Sequence, residues 1–339
     1  MKKEIAPAIL VIPTGIGCSV GGYAGDAIPS ARLLAAASGC LITHPNVMNG
    51  ANLYWQDPQI LYVEGYAIDR FAEGEIALKR VNSQKVGILM DDGITGELRQ
   101  RHLQVADACK ASLGLDIGPC VTTDIPLDID LCNGSNGSSW GLVSQPDALI
   151  RGAEKLIQLG ATAIAVITRF PDQIDQNELA AYRNGSGVDT LSGAEAVISH
   201  LIVKKLGVPC AHAPALSPLP VDINLDPRAA GEEIGYTFLP SVLVGLSRAP
   251  DLVAIDNRKT LQYSLSNTSN FLDISQVSAV VAPKDALGGE AVLACIEKGI
   301  PLIAVSNPCV LKVGSNSLCL NELQAQQASC QVFYVDNYV

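Results

Sequence analysis

Aromatic and charged residues are both scarce in this chain of 339: 5% are Phe, Trp or Tyr and 17% are Asp, Glu, Lys or Arg. Few aromatics argue against a β-sandwich and suit sheets covered by helices rich in Ala and Leu. A surface poor in charge makes a subunit interface, and so a homo-oligomer, the expectation. Positive charge is the scarcer sign, with 23 Lys and Arg against 34 Asp and Glu and a formal net charge of −11. Nucleic acid, whose recognition needs a basic footprint, is excluded as a partner. A small anionic metabolite is not, because backbone N–H groups bind anions even within an acidic protein. No apolar run reaches the roughly 18–20 residues that cross a bilayer. Pro13 and the glycines after it interrupt the first apolar stretch, so neither a signal peptide nor a membrane partner is expected. The ten cysteines include no C-x-x-C pair, and most lie in apolar runs where a thiol packs as a small hydrophobe. A disulfide framework and a zinc ribbon are both disfavoured, and a cytoplasmic protein is the expectation.

What is present is a recurring unit of apolar strand, polar or glycine-rich loop, and helix. Residues 8–12, 40–42, 60–65, 85–90, 163–168, 208–212, 252–255, 279–282, 302–305 and 332–335 are apolar steps of strand length. Helices are predicted over 29–37, 97–113, 146–160, 193–205, 228–248 and 288–298, with Gly114 and Gly160 as stops. The alternation predicts an α/β fold of largely parallel, doubly wound sheets in two Rossmann-like lobes. Residues 122–141 are rich in Asn, Gly, Ser, Pro and Asp. They place a linker at 126–143, between an N-terminal lobe of residues 1–125 and a C-terminal lobe of residues 144–339.

Chemistry is expected at the carboxyl ends of these strands, where open α/β sheets form their crevice. After the first strand come Gly15, Gly17, Gly21, Gly22 and Gly25, five glycines in eleven residues, followed by Asp26 and a helix. The third position of the dinucleotide fingerprint falls on Val20, and the next strand ends in Thr43 and His44 where an acidic residue would hold a ribose. A standard NAD site is therefore disfavoured and the cofactor is left unknown, while a backbone cradle for carboxylate or phosphate is retained. Asp26 reads either as a helix cap or as an acid, base or metal ligand. His44 follows the second strand with Asn46 and Asn49 close behind, and an imidazole there serves as general acid or base. Glu64 and Asp92 end two further strands. His212 follows a strand in the second half, and Gly288 with Gly289 opens a helix as a second anion cradle. Ser192 and Glu195 fit a capping box. No metal-ligand spacing is present.

Four strings, PTGIG (13–17), GGYAGD (21–26), LITHPNV (41–47) and YVEG (62–65), resemble a bacterial and plastid-lineage family known only as domain of unknown function 3326. GVD (187–189), GAEAVISH (193–200), CAHAP (210–214) and GGEAV (288–292) are similar to it as well, so the resemblance spans nearly the whole chain. It implies one shared architecture and no established activity. From the residues, the expectation is an enzyme using acid/base chemistry on a small anionic or carbonyl metabolite, as isomerase, lyase or hydrolase. In it His44, with Asp26 or Glu64, moves the proton. The alternative is a non-catalytic protein that binds a metabolite or nucleotide for regulation.

Overall fold

The computed structural model describes residues 5–50, 57–172, 176–233, 238–255, 270–320 and 330–339. The first apolar run becomes β1 (Ala8–Leu10), followed by α1 (Ile28–Ser38), β2 (Leu41–Thr43), the one-turn α2 (Pro45–Met48), β3 (Ile60–Tyr62) and α3 (Gly65–Glu73). Next come β4 (Ile76–Lys79), β5 (Val86–Met90), α4 (Gly96–Leu113), β6 (Ile117–Thr122), β7 (Ile129–Asn133) and β8 (Ser139–Val143). They lead into α5 (Pro146–Gln158), β9 (Ala163–Arg169), α6 (Gln176–Arg183), α7 (Ser192–Leu206) and β10 (Cys210–Ala215). The remainder holds α8 (Pro227–Glu233), α9 (Leu239–Leu246), β11 (Asp251–Ala254), β12 (Phe271–Leu272), β13 (Ala279–Pro283), α10 (Glu290–Glu297), β14 (Leu302–Val305) and β15 (Val332–Val335).

Two parallel sheets carry the fold, one of six strands in the order β15-β14-β13-β1-β2-β3 and one of four in the order β10-β9-β5-β6. The expected α/β class is therefore observed. Strands such as β1, β2 and β5 are buried at every residue, the pattern of sheets covered on both faces. Two small antiparallel sheets, β11-β4-β12 and β7-β8, complete the described strands.

The division of the chain is corrected. Each large sheet draws strands from both halves: β1–β3 pair with β13–β15, and β5 and β6 share a sheet with β9 and β10. Residues 126–143 hold β7 and β8, and their Asn, Gly and Ser form the hairpin turn, closed by the Gly134 N–H on Ser138 O. Turn and linker share one composition, and sheet partnership is non-local, so composition alone cannot separate them. The two sheets also share a core, since one apolar cluster includes Ile9, Ile42 and Val63 together with Leu89, Ile164 and Val166.

Strand order reverses between β1 and β13 in one sheet and between β5 and β9 in the other, the positions where such sheets open a crevice. Helix α7 lies against β8, β10 and α3 and so bridges the sheets. Its first turn meets β8 backbone to backbone. A Cβ on Gly193 would run into Trp140 Cα and the Ser139 carbonyl, and one on Gly141 into Ala194. Gly193→Val should therefore lower stability by about 1–3 kcal/mol, measured by urea unfolding. An unchanged midpoint would show that the contact is not as close as described.

Candidate functional site

The ends of β2 and β3 and the inner face of α7 enclose a cavity of about 110 Å3 between the two sheets. Three of the four histidines of the chain line it, His44, His200 and His212, with the carboxylates Glu64, Asp189, Glu195 and Glu232. No Lys or Arg lines it among the described residues.

Glu64 caps α3: Oε2 accepts from the N–H groups of Tyr66 (2.8 Å) and Ala67 (3.3 Å). The other oxygen, Oε1, pairs with Nδ1 of His200 from α7. Burial alone would lower the pKa of this imidazole, but the hydrogen bond and charge of Glu64, aided by Asp69, outweigh it and hold the pKa above its ordinary value. Gly65 is part of the arrangement, because a Cβ there would stand 3.1 Å from His200 Cε1.

His44 behaves in the opposite way. The Ile12 N–H donates to its Nε2 at 3.2 Å, which places the proton of the neutral ring on Nδ1. Burial, with the charge of His200 adding to it, lowers its pKa to about 4. At neutral pH it is an uncharged wall of the cavity that holds the backbone after β1. His44 lacks the carboxylate partner that His200 has, and its low pKa does not suit the general acid/base role expected of it.

Helix α7 supplies a polar stripe to the cavity. Ser192, Glu195 and Ser199 recur at three- and four-residue spacing and so share one face. His212 on β10 lies between two of them, with Ser199 Oγ 2.9 Å from Nδ1 and Glu195 Oε2 3.2 Å from Nε2. With Nε2–H donating to the carboxylate, Nδ1 accepts the Ser199 hydroxyl. The expected capping box is absent: α7 is preceded by Leu191 without a side-chain cap, the Ser192 hydroxyl donates to Asp189 O (3.0 Å), and Glu195 turns to His212.

Asp189 accepts from the Leu191 N–H at 2.9 Å. Burial, and after it the charge of Glu195, raises its pKa to about 7. Glu232 accepts from the Tyr182 hydroxyl at 2.6 Å, and burial together with the charge of Asp189 pushes its pKa well above the carboxylate range. Asn46 donates from Nδ2 to Gly21 O (3.1 Å), and Asn49 accepts from the Tyr62 hydroxyl (2.8 Å); both line the cavity.

The structure thus brings together His44, Glu64, Asn46, Asn49 and His212 from the sequence-predicted set. The glycines lie elsewhere. Gly15 abuts Ser139 and Ser192, Gly17 abuts Gly187, Gly21 abuts Ile12, Gly22 abuts Cys18, and Gly25 abuts the Asn49 carbonyl. The N–H of Gly21 donates to Asp26 Oδ1 (2.6 Å) and that of Gly25 to Asn46 O (3.0 Å), so these two amides do not face a ligand. The loop needs glycine for close packing and, at Gly15, Gly17, Gly21 and Gly25, for positive φ. Asp26 does not cap α1; it lines a separate cavity with Arg32 and Arg228, where burial raises its pKa to about 6. Asp92 is exposed at the end of β5 in the other sheet, and Gly288 and Gly289 precede α10 outside the cavity. Asp189, Ser192, Glu195, Ser199, His200 and Glu232 were not predicted as site residues. The polar spacing along α7 is the signal that points to three of them. Among the described residues, no three His, Cys, Asp or Glu side chains converge to hold a metal ion.

The family described as a protein of unknown function, DUF3326, matches residues 7–338, and the chain belongs to it. An uncharacterized lipoprotein of Synechococcus sp. is 52% identical over 299 residues, covering 88% of this chain and 81% of that protein. That relative overturns the cytoplasmic placement expected from the sequence. A lipid anchor needs no spanning helix, and a buried thiol packs as a hydrophobe in any compartment, so neither feature of the sequence fixes the location. Among the described residues no helix is long and apolar enough to cross a membrane.

A raised carboxyl makes stability fall as pH rises. Between the ordinary aspartate pKa near 3.8 and about 7, the unfolded chain loses the Asp189 proton before the folded one does. Asp189→Asn removes that loss, so its Tm relative to wild type should be higher at pH 8 than at pH 4. An equal difference at both values would show that Asp189 titrates normally.

Proposed function

We propose that this cavity moves protons on a small carbonyl metabolite, in a reaction of isomerase or lyase type. The observation that carries the reading is the company of two proton carriers tuned by opposite means. Glu64 holds His200 above the ordinary imidazole value, and burial lifts Asp189 to about 7. Titrating groups with environments this different are how one site supplies an acid and a base at the same pH. In this reading His200, as its conjugate acid, donates to the carbonyl oxygen, and ionised Asp189 removes a proton from the adjacent carbon. Asn46 and Ser192 orient the substrate, and neutral His44 shapes the wall.

Four carboxylates and, among the described residues, no Lys or Arg in the lining favour an uncharged carbonyl compound over the anion expected from the sequence. The hydrogen-bonded row Ser199–His212–Glu195 also favours acyl transfer, with Ser199 as nucleophile and His212 as base. If so, a fluorophosphonate would label Ser199 and the label would be lost in His212→Ala; labelling that survives that change would count against it.

Exchange of carbon-bound protons tests the main reading. A panel of small ketones, aldehydes and hydroxyketones is incubated with the protein in D2O and followed by NMR. Exchange should occur next to the carbonyl and fall about 10²–10⁴-fold in His200→Gln and in Asp189→Asn, whereas Asp26→Asn leaves it unchanged. Exchange that persists in both site variants would overturn the assignment. A ligand that binds without exchange would make the protein a binding module.

A further inference from the structure

The polar cavity has a neighbour. A second chamber of about 230 Å3 shares four lining residues with it: Asp189, Leu191, Glu232 and Phe238. Away from that neck its walls are largely apolar, built from Leu179 on α6, Val188, Leu216, Pro218, Leu219 and, on α8, Ala229, with the polar groups of Asp172, Glu178, Arg183 and Glu233 among them. We infer that this chamber receives the apolar part of the substrate, so that the substrate is an amphiphile with its carbonyl head at His200 and a hydrocarbon chain or ring running past Asp189. The inference rests on the proton-transfer reading of the polar cavity and adds the substrate class.

The charged groups around the chamber are already paired and need no ligand. Arg183 is buried and holds Glu233 through Nε (2.8 Å) while its Nη2 donates to Pro220 O (2.7 Å), which fixes the proline-rich wall. Asp172 pairs with Arg169, and Glu178 accepts from Asn133 Nδ2 (2.8 Å). At the neck, the Tyr182 hydroxyl donates to Glu232 and the Tyr182 ring stacks on Tyr23 with centroids 4.4 Å apart, so the carboxyl there is held in place. Phe238, on the wall common to both spaces, has φ +56, a left-handed backbone that a bulky residue rarely adopts. Strain of this kind persists where the surroundings enforce it, and it gathers at binding sites. An occupant that meets apolar walls with every charge satisfied gains by burying hydrocarbon and has no partner for a charge of its own.

Straight-chain methyl ketones of four to twelve carbons serve as probes, with binding followed by calorimetry on the full chain and exchange next to the carbonyl followed in D2O. Kd should fall about three- to fourfold per added methylene, the equivalent of roughly 0.8 kcal/mol each, until the chamber is full. Leu179→Glu, on the partly exposed face of α6, and Leu216→Asn, should each abolish the length dependence; thermal unfolding of both variants reports their folding. Affinity independent of chain length in the wild type, or a length dependence that survives both variants, would overturn the inference and leave the proton-transfer reading standing. Length-dependent binding lost in both variants, but with no exchange at any length, would support the chamber and count against proton transfer. Absence of binding by every ketone at millimolar concentration would overturn the inference.

Discussion

One carboxylate joins the two halves of this structure. Glu64 ends β3, caps α3 through the N–H groups of Tyr66 and Ala67, and reaches His200 on α7. Helix α3 follows β3 of the six-stranded sheet and packs on α10, and α7 packs on β10 of the four-stranded sheet. A single side chain therefore satisfies a helix terminus, places an imidazole in the cavity between the sheets and sets its charge. The N-terminal end of α3 favours a negative charge at Glu64, and that charge in turn favours a protonated His200. Buried as it is, the carboxylate has its oxygens taken up by the two amides and the imidazole.

The same cavity holds groups that burial treats differently. His44, without a carboxylate beside it, is driven to the neutral form, and its ring nitrogen takes the backbone N–H of Ile12. Asp189 and Glu232 are close enough to other carboxylates that burial and like charge act together to raise their pKa values. A neutral His44 and the raised carboxyls of Asp189 and Glu232 lower the charge held in an enclosed space that, among the described residues, has no Lys or Arg in its lining. His212 is fixed by Ser199 on one nitrogen and Glu195 on the other, so its orientation follows from α7.

Much of the secondary structure was legible in the sequence because it was written in periodicity. β14 and β15 have the expected bounds, and α4 ends at Gly114 in the left-handed conformation that a stop of this kind requires. Helix α3 is not legible in the sequence, since residues 60–65 read as one strand with Glu64 at its polar end, whereas Glu64 is the cap of the next helix. Which strands share a sheet was not legible either: β1 pairs with β13, about 270 residues later, and no local pattern records that choice. The site was half legible for the same reason. His44, Glu64, Asn46, Asn49 and His212 stand at strand ends and stood out there, while His200 and Ser199 sit inside a helix and are brought in only by the packing of α7. The glycine loop misled because close backbone packing and anion binding demand the same residue.

The dependence of His200 on Glu64 is open to direct measurement. The nitrogen resonances of the His200 ring, followed by NMR through a pH titration, give its pKa in the wild type and in Glu64→Gln, which keeps an acceptor for the cap of α3. A value above the ordinary imidazole value near 6.5 is predicted in the wild type, and a lower value in the variant, where only Asp69 and the backbone hydrogen bond with Ala196 still oppose burial. The same titration midpoint in both proteins would contradict that dependence.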